Sequence, residues 1–141
     1  MRRLSLWLPV LVYMAIIFGF SAQSNPLPEV TAHVWDKLLH ASEYACLAVL
    51  LVRALRGEGA SWPAVLIAAT ILTSLYGASD EIHQAFVPGR DPAVGDWLAD
   101  TTGAAIASTF ATLAGRRRSE SRRRPPGVGR RTEGVDLGRR T

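Results

Sequence analysis

The sequence predicts an all-α protein, a four-helix transmembrane bundle followed by a disordered basic tail. Long apolar segments recur through the first 114 residues, and turn-forming Pro or Gly residues separate them. Arginines flank these segments, as is common at the cytoplasmic ends of membrane spans. Beyond residue 114 the chain becomes polar and arginine-rich. We therefore predict a transmembrane domain over 1–114 and a disordered cytoplasmic tail over 115–141.

The first predicted helix covers about residues 4–22, an apolar run that follows Arg2 and Arg3. A signal peptide is the alternative, because it shares the basic start and the apolar middle. The residues after the run form a poor cleavage signal, and further hydrophobic segments follow them. The pattern therefore favours an uncleaved membrane helix.

The second predicted helix covers about residues 36–55, between a proline-containing loop and a glycine turn. Its first half places Asp36, His40 and Glu43 at spacings of four and three residues, which is one face of a helix. Its second half is apolar and ends at arginines. This helix is therefore expected to present a polar face at one end only.

The third and fourth predicted helices cover about residues 62–82 and 93–114. Pro63 suits the first turn of the third helix, where a missing backbone N–H costs nothing. Asp91 is expected to cap the fourth helix, with Pro92 at its first position. Both helix starts thus have a local signal in the sequence.

The fourth predicted helix carries a stripe of small residues, which lets membrane helices approach closely. The stripe consists of Ala99, Gly103, Ala107 and Ala111. Asp96 and Asp100 lead into this stripe. Both carboxylates are therefore expected to face the bundle rather than the lipid.

The distribution of basic residues predicts the orientation. Four spans place the arginine groups at the chain start, after the second helix and after the fourth helix on one side, and the positive-inside rule makes that side cytoplasmic. A multi-pass protein of the cell membrane with both termini in the cytoplasm is predicted. The tail holds ten of the sixteen basic residues. Beside a hydrophobic body, such charge indicates membrane lipids as the partner and not nucleic acid.

The same topology gathers polar residues at the outer ends of the second, third and fourth helices. Ionisable groups at a membrane boundary are costly, and they commonly mark a functional site. The structural alternative is that these residues only cap and connect helix ends, because charges there can reach the interface at modest cost. Within the cluster, Arg90, Asp96 and Glu81 are expected to form a linked network.

Some of the same residues are potential metal ligands. His40 and Glu43, together with Asp80, Glu81 and His83, are ligand types, and His-x-x-Glu occurs among metal sites on helices. An HExxH motif is absent, and sequence spacing supplies no complete ligand set. We therefore predict no tightly held divalent ion and no cofactor.

Three motifs carry a family resemblance over roughly residues 4–114. They are Asp36-Lys37-x-x-His40-x-x-x-Tyr44, Tyr76-Gly77-x-x-Asp80-Glu81-Ile82-His83-Gln84-x-Phe86-x-Pro88-Gly89-Arg90, and Asp96-x-x-x-Asp100-x-x-Gly103. The chain resembles the VanZ-like family of small bacterial membrane proteins. That family takes its name from a member linked to resistance to teicoplanin, a lipoglycopeptide. The resemblance implies a membrane protein of the cell envelope and supplies no reaction.

The predicted function is binding of a polar head group in an extracytoplasmic pocket. The ligand would be an envelope lipid, a cell-wall precursor or a lipoglycopeptide antibiotic, and the protein would contribute to glycopeptide (teicoplanin) resistance. Lys37 and Arg90 are the cationic groups available for a phosphate or carboxylate. The predicted binding residues are Asp36, Lys37, His40, Glu43, Tyr44, Asp80, Glu81, Gln84, Arg90, Asp96 and Asp100.

Two other functional classes stay open. A membrane-embedded hydrolase or transferase would use Glu81 or His40 as a general base on a lipid-linked substrate. A transporter is the third class, and four short helices would then need to oligomerise. Binding is preferred because the sequence shows neither an activated nucleophile nor a complete metal site.

Overall fold

The computed structural model describes residues 1–24 and 34–123, without the side chains of 34–36. Within these residues the chain forms four helices and no strand, which confirms the predicted all-α class. The helices are α1 (Arg2–Ser21), α2 (Val34–Gly57), α3 (Trp62–Gln84) and α4 (Val94–Arg123). By length and composition, α1, α2 and α3 are apolar enough to cross a membrane. Helix α4 is more polar, because two aspartates open it and arginines end it.

Helix α4 is longer than the sequence analysis predicted. It continues to Arg123, whereas an end near residue 114 and disorder from residue 115 were expected. Arginine and glutamate propagate helices well, and Pro125 is the first residue that would break this one. Arg122 and Arg123 in the last turn also interact favourably with the helix dipole. The predicted tail from residue 124 lies outside the described residues.

The start of α4 also differs from the prediction, because Asp91 does not cap it. The backbone carbonyl of Ala93 accepts hydrogen bonds from the amides of Asp96 and Trp97, at 2.9 and 3.4 Å. The amide of Ala93 donates to Oε2 of Glu81 at 2.8 Å. The carboxylate that stabilises this helix start therefore comes from the end of α3, while Asp91 is exposed.

Helix α2 is the centre of the bundle. Its inward face is covered by the other helices, and Leu47, Ala48 and Ala54 have no exposed surface. It packs most extensively on α4, and then on α3 and α1. The core therefore follows the length of α2, with its polar end leading into the candidate site.

The face of α4 that is buried in the bundle follows a four-residue repeat. It consists of Asp96, Asp100, Ala104, Ser108 and Thr112. The predicted stripe of small residues lies beside this line, and Gly103 belongs to the buried face as well. A Cβ atom on Gly103 would lie 2.9 Å from the Cα atom of Ala41, so the backbones of α2 and α4 are in contact there. The prediction that both aspartates face the bundle is confirmed.

Helix α1 packs on the hydrophobic core, and it is also held to the bundle through its backbone carbonyls. The hydroxyl of Tyr76 donates to the carbonyl of Met14 at 2.7 Å. The guanidinium of Arg90 donates to the carbonyls of Phe20 and Gln23, each at 2.9 Å. Side-chain packing between α1 and the other helices is thinner than in the rest of the bundle. This arrangement leaves a cavity along one side of α1.

Candidate functional site

The candidate site lies where the N-terminal ends of α2 and α4 meet the C-terminal end of α3. Five predicted binding residues are buried there, and four of them carry side chains that are costly to remove from water. The buried residues are Tyr44, Asp80, Gln84, Asp96 and Asp100. The fold thus brings together polar groups that lie up to sixty residues apart in the chain.

Lys37 and Asp96 form an ion pair between α2 and α4. The Nζ atom of Lys37 lies 2.5 Å from Oδ1 of Asp96. The aspartate side chain is 11% exposed, whereas the lysine side chain is 52% exposed. Asp96 is also in the first turn of α4, where the helix dipole stabilises an anion. Lys37 therefore compensates a nearly buried charge while keeping part of its own side chain in contact with the surroundings.

His40 and Asp100 form a second pair one turn deeper. The Nδ1 atom of His40 lies 3.1 Å from Oδ1 of Asp100, and the aspartate is fully buried. The other carboxylate oxygen, Oδ2, has no hydrogen-bond partner among the described residues. It lies against Gly77 of α3, where an added Cβ atom would be 3.1 Å away. Even the methyl group of an alanine at position 77 would require this carboxylate to shift slightly.

Glu81 completes a group of three potential metal ligands. Its Oε2 atom accepts the Ala93 amide, and its Oε1 atom is buried without a partner among the described residues. One ligand atom each from His40, Glu81 and Asp100 lies within 4.8 Å of the others. Sequence spacing could not join these residues, because they come from three different helices.

Asp80, Gln84 and Tyr44 form the wall of the site between α2 and α3. The amide of Gln84 donates to Oδ2 of Asp80 at 3.0 Å. Oδ1 of Asp80 and the hydroxyl of Tyr44 are buried, and neither has a hydrogen-bond partner in the described part of the chain. Buried polar atoms normally have a hydrogen-bond partner, and a ligand, an ion or water could complete those of this site.

Arg90 does not join the network that the sequence predicted. Its guanidinium binds the carbonyls at the C-terminal end of α1, and it forms no ion pair with an acidic side chain of the described residues. The last carbonyls of a helix lack intrahelical partners, so they are strong acceptors for an arginine. The predicted link from Arg90 to Asp96 and Glu81 is therefore wrong. The side chain of Asp36 lies outside the described residues.

A cavity of about 390 Å³ opens between α1 and the polar ends of α2 and α3. Its two walls differ in chemistry. Side chains of α1 form the apolar wall, which consists of Tyr13, Ile16, Ile17 and Phe20. The polar wall consists of His40, Ser42, Glu43, Asp80, Gln84 and Arg90, and Ser21, Leu39 and Cys46 complete the lining.

The apolar wall and Cys46 were not among the predicted site residues. An apolar membrane helix carries hydrophobic residues on every face, so the sequence of α1 does not indicate which face borders a cavity. Cys46 lies among apolar neighbours in the sequence, so nothing in its local pattern indicates a site. It is exposed and lines the cavity.

The fold and the site define a small helical membrane protein that buries a polar cluster at one end of its bundle. The chain belongs to the VanZ/LLP1 family, whose family model matches residues 6–115. This match confirms the VanZ-like resemblance, and it includes every predicted site residue. Comparisons with the curated proteins and with the solved structures gave no match.

Proposed function

We propose that this VanZ-like membrane protein binds an amphiphile in the cavity between α1, α2 and α3. The observation that carries the proposal is the pairing of an apolar wall with a polar wall in one cavity. An acyl chain would lie along Ile16, Ile17 and Phe20, and the head group would meet the polar wall. Ligand sites commonly combine a mostly apolar lining with a few polar groups that fix orientation.

The charges of the polar wall indicate what kind of head group would fit. Glu43 and Asp80 line the cavity, and Arg90 is the cationic side chain that faces them. Two donors of Arg90 are already engaged by carbonyls of α1, and Lys37 pairs with Asp96. A head group rich in hydroxyl or amino groups would therefore be favoured over a bare phosphate. Lipoglycopeptides, cell-wall precursors and envelope lipids remain the proposed ligands, and a contribution to teicoplanin resistance is proposed on this basis.

Protection of Cys46 tests the proposal, because this thiol is exposed at the cavity. Teicoplanin, added to the full chain in detergent, is expected to slow N-ethylmaleimide labelling of Cys46 at least fivefold. A bacterial polar lipid extract is the second probe. Protection by the extract would indicate a lipid ligand, whereas protection by teicoplanin alone would indicate the antibiotic. The Glu43→Gln/Asp80→Asn double variant should lose most of the protection, since it removes both acidic groups of the polar wall.

The matched control is a thiol away from the cavity. Ile106→Cys in a Cys46→Ala background places a cysteine at an exposed position of α4. Its labelling should be unchanged by either probe. Equal protection of both thiols, or no protection of Cys46 by either probe, would contradict a ligand in this cavity.

We also propose that both termini are cytoplasmic, with the loop between α3 and α4 outside. Asp91 is exposed in this loop, and Gly89 is less suitable for substitution because its φ is +79°. An Asp91→Cys/Cys46→Ala variant should react with an impermeant maleimide in intact cells. A Ser121→Cys/Cys46→Ala variant, with its thiol at the other end of α4, should react only after lysis. The reverse pattern would invert the proposed orientation.

The alternative function, a membrane-embedded hydrolase or transferase, is favoured by one observation. His40, Glu81 and Asp100 converge in space, and their side chains are the types that hold catalytic metal ions. This alternative depends on whether the three residues bind a metal.

A further inference from the structure

We infer that His40, Glu81 and Asp100 form a binding site for a divalent transition-metal ion. This inference goes beyond amphiphile binding, and its test does not depend on whether an amphiphile binds. It also opposes the expectation from the sequence, where the ligand types weighed were His40 and Glu43 with Asp80, Glu81 and His83, and where spacing supplied no complete ligand set.

The three ligands come from three helices that are fixed against one another. His40 lies on α2, Glu81 on α3 and Asp100 on α4, and their ligand atoms lie within 4.8 Å of one another. In a tetrahedral zinc site with bonds of about 2.0–2.2 Å, neighbouring ligand atoms are about 3.4 Å apart. Nδ1 of His40 and Oδ1 of Asp100 are already 3.1 Å apart. Small side-chain rotations would therefore bring all three residues onto one ion.

The buried carboxylates lack partners that a metal ion would supply. Asp100 has no exposed surface, and its Oδ2 atom has no hydrogen-bond partner among the described residues. Oε1 of Glu81 is also buried and has no hydrogen-bond partner in the described part of the chain. Leaving such atoms unsatisfied away from water is costly, and the cost is larger when the group is charged. Coordination by both oxygens of Asp100, and by Oε1 of Glu81, would satisfy these atoms.

The charge around the cluster also indicates a cation. Among the described side chains, the buried and half-buried acidic groups at this end of the bundle are Glu43, Asp80, Glu81, Asp96 and Asp100, whereas Asp91 is exposed in the loop between α3 and α4. The cationic groups there are Lys37, which pairs with Asp96, and Arg90, which binds carbonyls of α1. Negative charge therefore exceeds positive charge in a region with little access to water. A divalent ion between Glu81 and Asp100 would offset most of this excess.

The ligand types indicate which ion would fit. One imidazole and two carboxylates suit Zn²⁺ or Mn²⁺ better than Mg²⁺ or Ca²⁺, which prefer oxygen ligands alone. Three protein ligands leave a coordination position for water or for a polar group of a ligand, as in catalytic zinc sites. Because His40 also lines the cavity, the ion would lie beside the proposed amphiphile.

Zinc binding to the full chain tests the inference. The protein, carrying no polyhistidine tag, would be stripped with a chelator in detergent and titrated with Zn²⁺ without any amphiphile. We expect saturation near one ion per chain, measured by elemental analysis after gel filtration. His40→Gln, Glu81→Gln and Asp100→Asn should each lower the affinity for Zn²⁺ at least tenfold. The absorption spectrum of bound Co²⁺ should change in the same variants.

The matched control is His83→Gln, which removes a histidine at the same end of the bundle. His83 stacks on Phe18, with ring centroids 4.4 Å apart, and it is outside the cluster of three. This variant should bind Zn²⁺ as the parent does. Circular dichroism and gel filtration identify any variant that fails to fold. The zinc affinities of the ligand variants that do fold then test the inference. No saturable binding, or binding that survives in the folded ligand variants, would overturn the inference.

Discussion

Replacing Gly103 by alanine should destabilise the bundle by about 3 kcal/mol or more, the upper end of what overpacking usually costs. The new methyl group would overlap the carbonyl group of Ala41 on α2. The obstacle is backbone and not the end of a flexible side chain, so no rotamer change can relieve it. Helices α2 and α4, which form the most extensive helix–helix contact of the described residues, would have to move apart. SDS titration of the detergent-solubilised protein should show unfolding at a markedly lower SDS fraction.

Gly19→Ala is the matched control for this change. Gly19 also lies within a helix, and nothing lies within 4 Å of the Cβ atom that alanine would add there. Alanine is a better helix former than glycine by up to about 1 kcal/mol. This variant should therefore unfold at the same SDS fraction as the parent or at a slightly higher one. Equal effects of the two substitutions would show that close contact at Gly103 is not what stabilises the bundle.

Replacing Lys37 by methionine should have the second largest effect, a loss of about 2 kcal/mol. Methionine keeps the length of the side chain but leaves the nearly buried Asp96 without its cation. Breaking a buried ion pair from one side costs about 3–5 kcal/mol, and the half-exposed lysine and the helix dipole reduce that figure here. Asp96→Asn should cost less, because the lysine can then turn toward the aqueous boundary.

A double-mutant cycle isolates the pair itself. The Lys37→Met/Asp96→Asn variant should be more stable than the sum of the two single changes implies, by about 1 kcal/mol. The matched control is Arg3→Met, which breaks an ion pair with Glu58 whose side chains are 87% and 27% exposed. Exposed pairs of this kind contribute less than about 1 kcal/mol. If Arg3→Met and Lys37→Met have the same effect, burial of Asp96 is not what makes the lysine important.

The helices could be predicted because a membrane span needs a continuous apolar run, and such runs are visible in the sequence. Their ends were predicted less well. Helix α4 extends to Arg123, since its charged last turns still favour helix and the breaking prolines come later. Asp91 had the residue type and position of a cap, but the amide of Ala93 donates to Glu81 of another helix. Local signals alone could not decide between these two carboxylates.

The site was predicted as a set of residues, and its pairings were not. An inward-facing Asp96 followed from the small residues on its face of α4, and the structure buries that face. That Lys37 pairs with Asp96 while Arg90 binds α1 depends on distances between helices. Those distances cannot be predicted from the sequence alone.

The sequence by itself determined that the chain forms helices, that most of these are apolar enough for a membrane, and that acidic and basic residues collect at one end. These features follow from residue type and from periodicity along a single helix. Only the tertiary structure decided that His40, Glu81 and Asp100 meet, and that α1 forms the apolar wall of a cavity. The physical reason is that Gly77 and Gly103 allow the helices to approach closely. That approach brings ligand atoms from separate helices within reach of one ion.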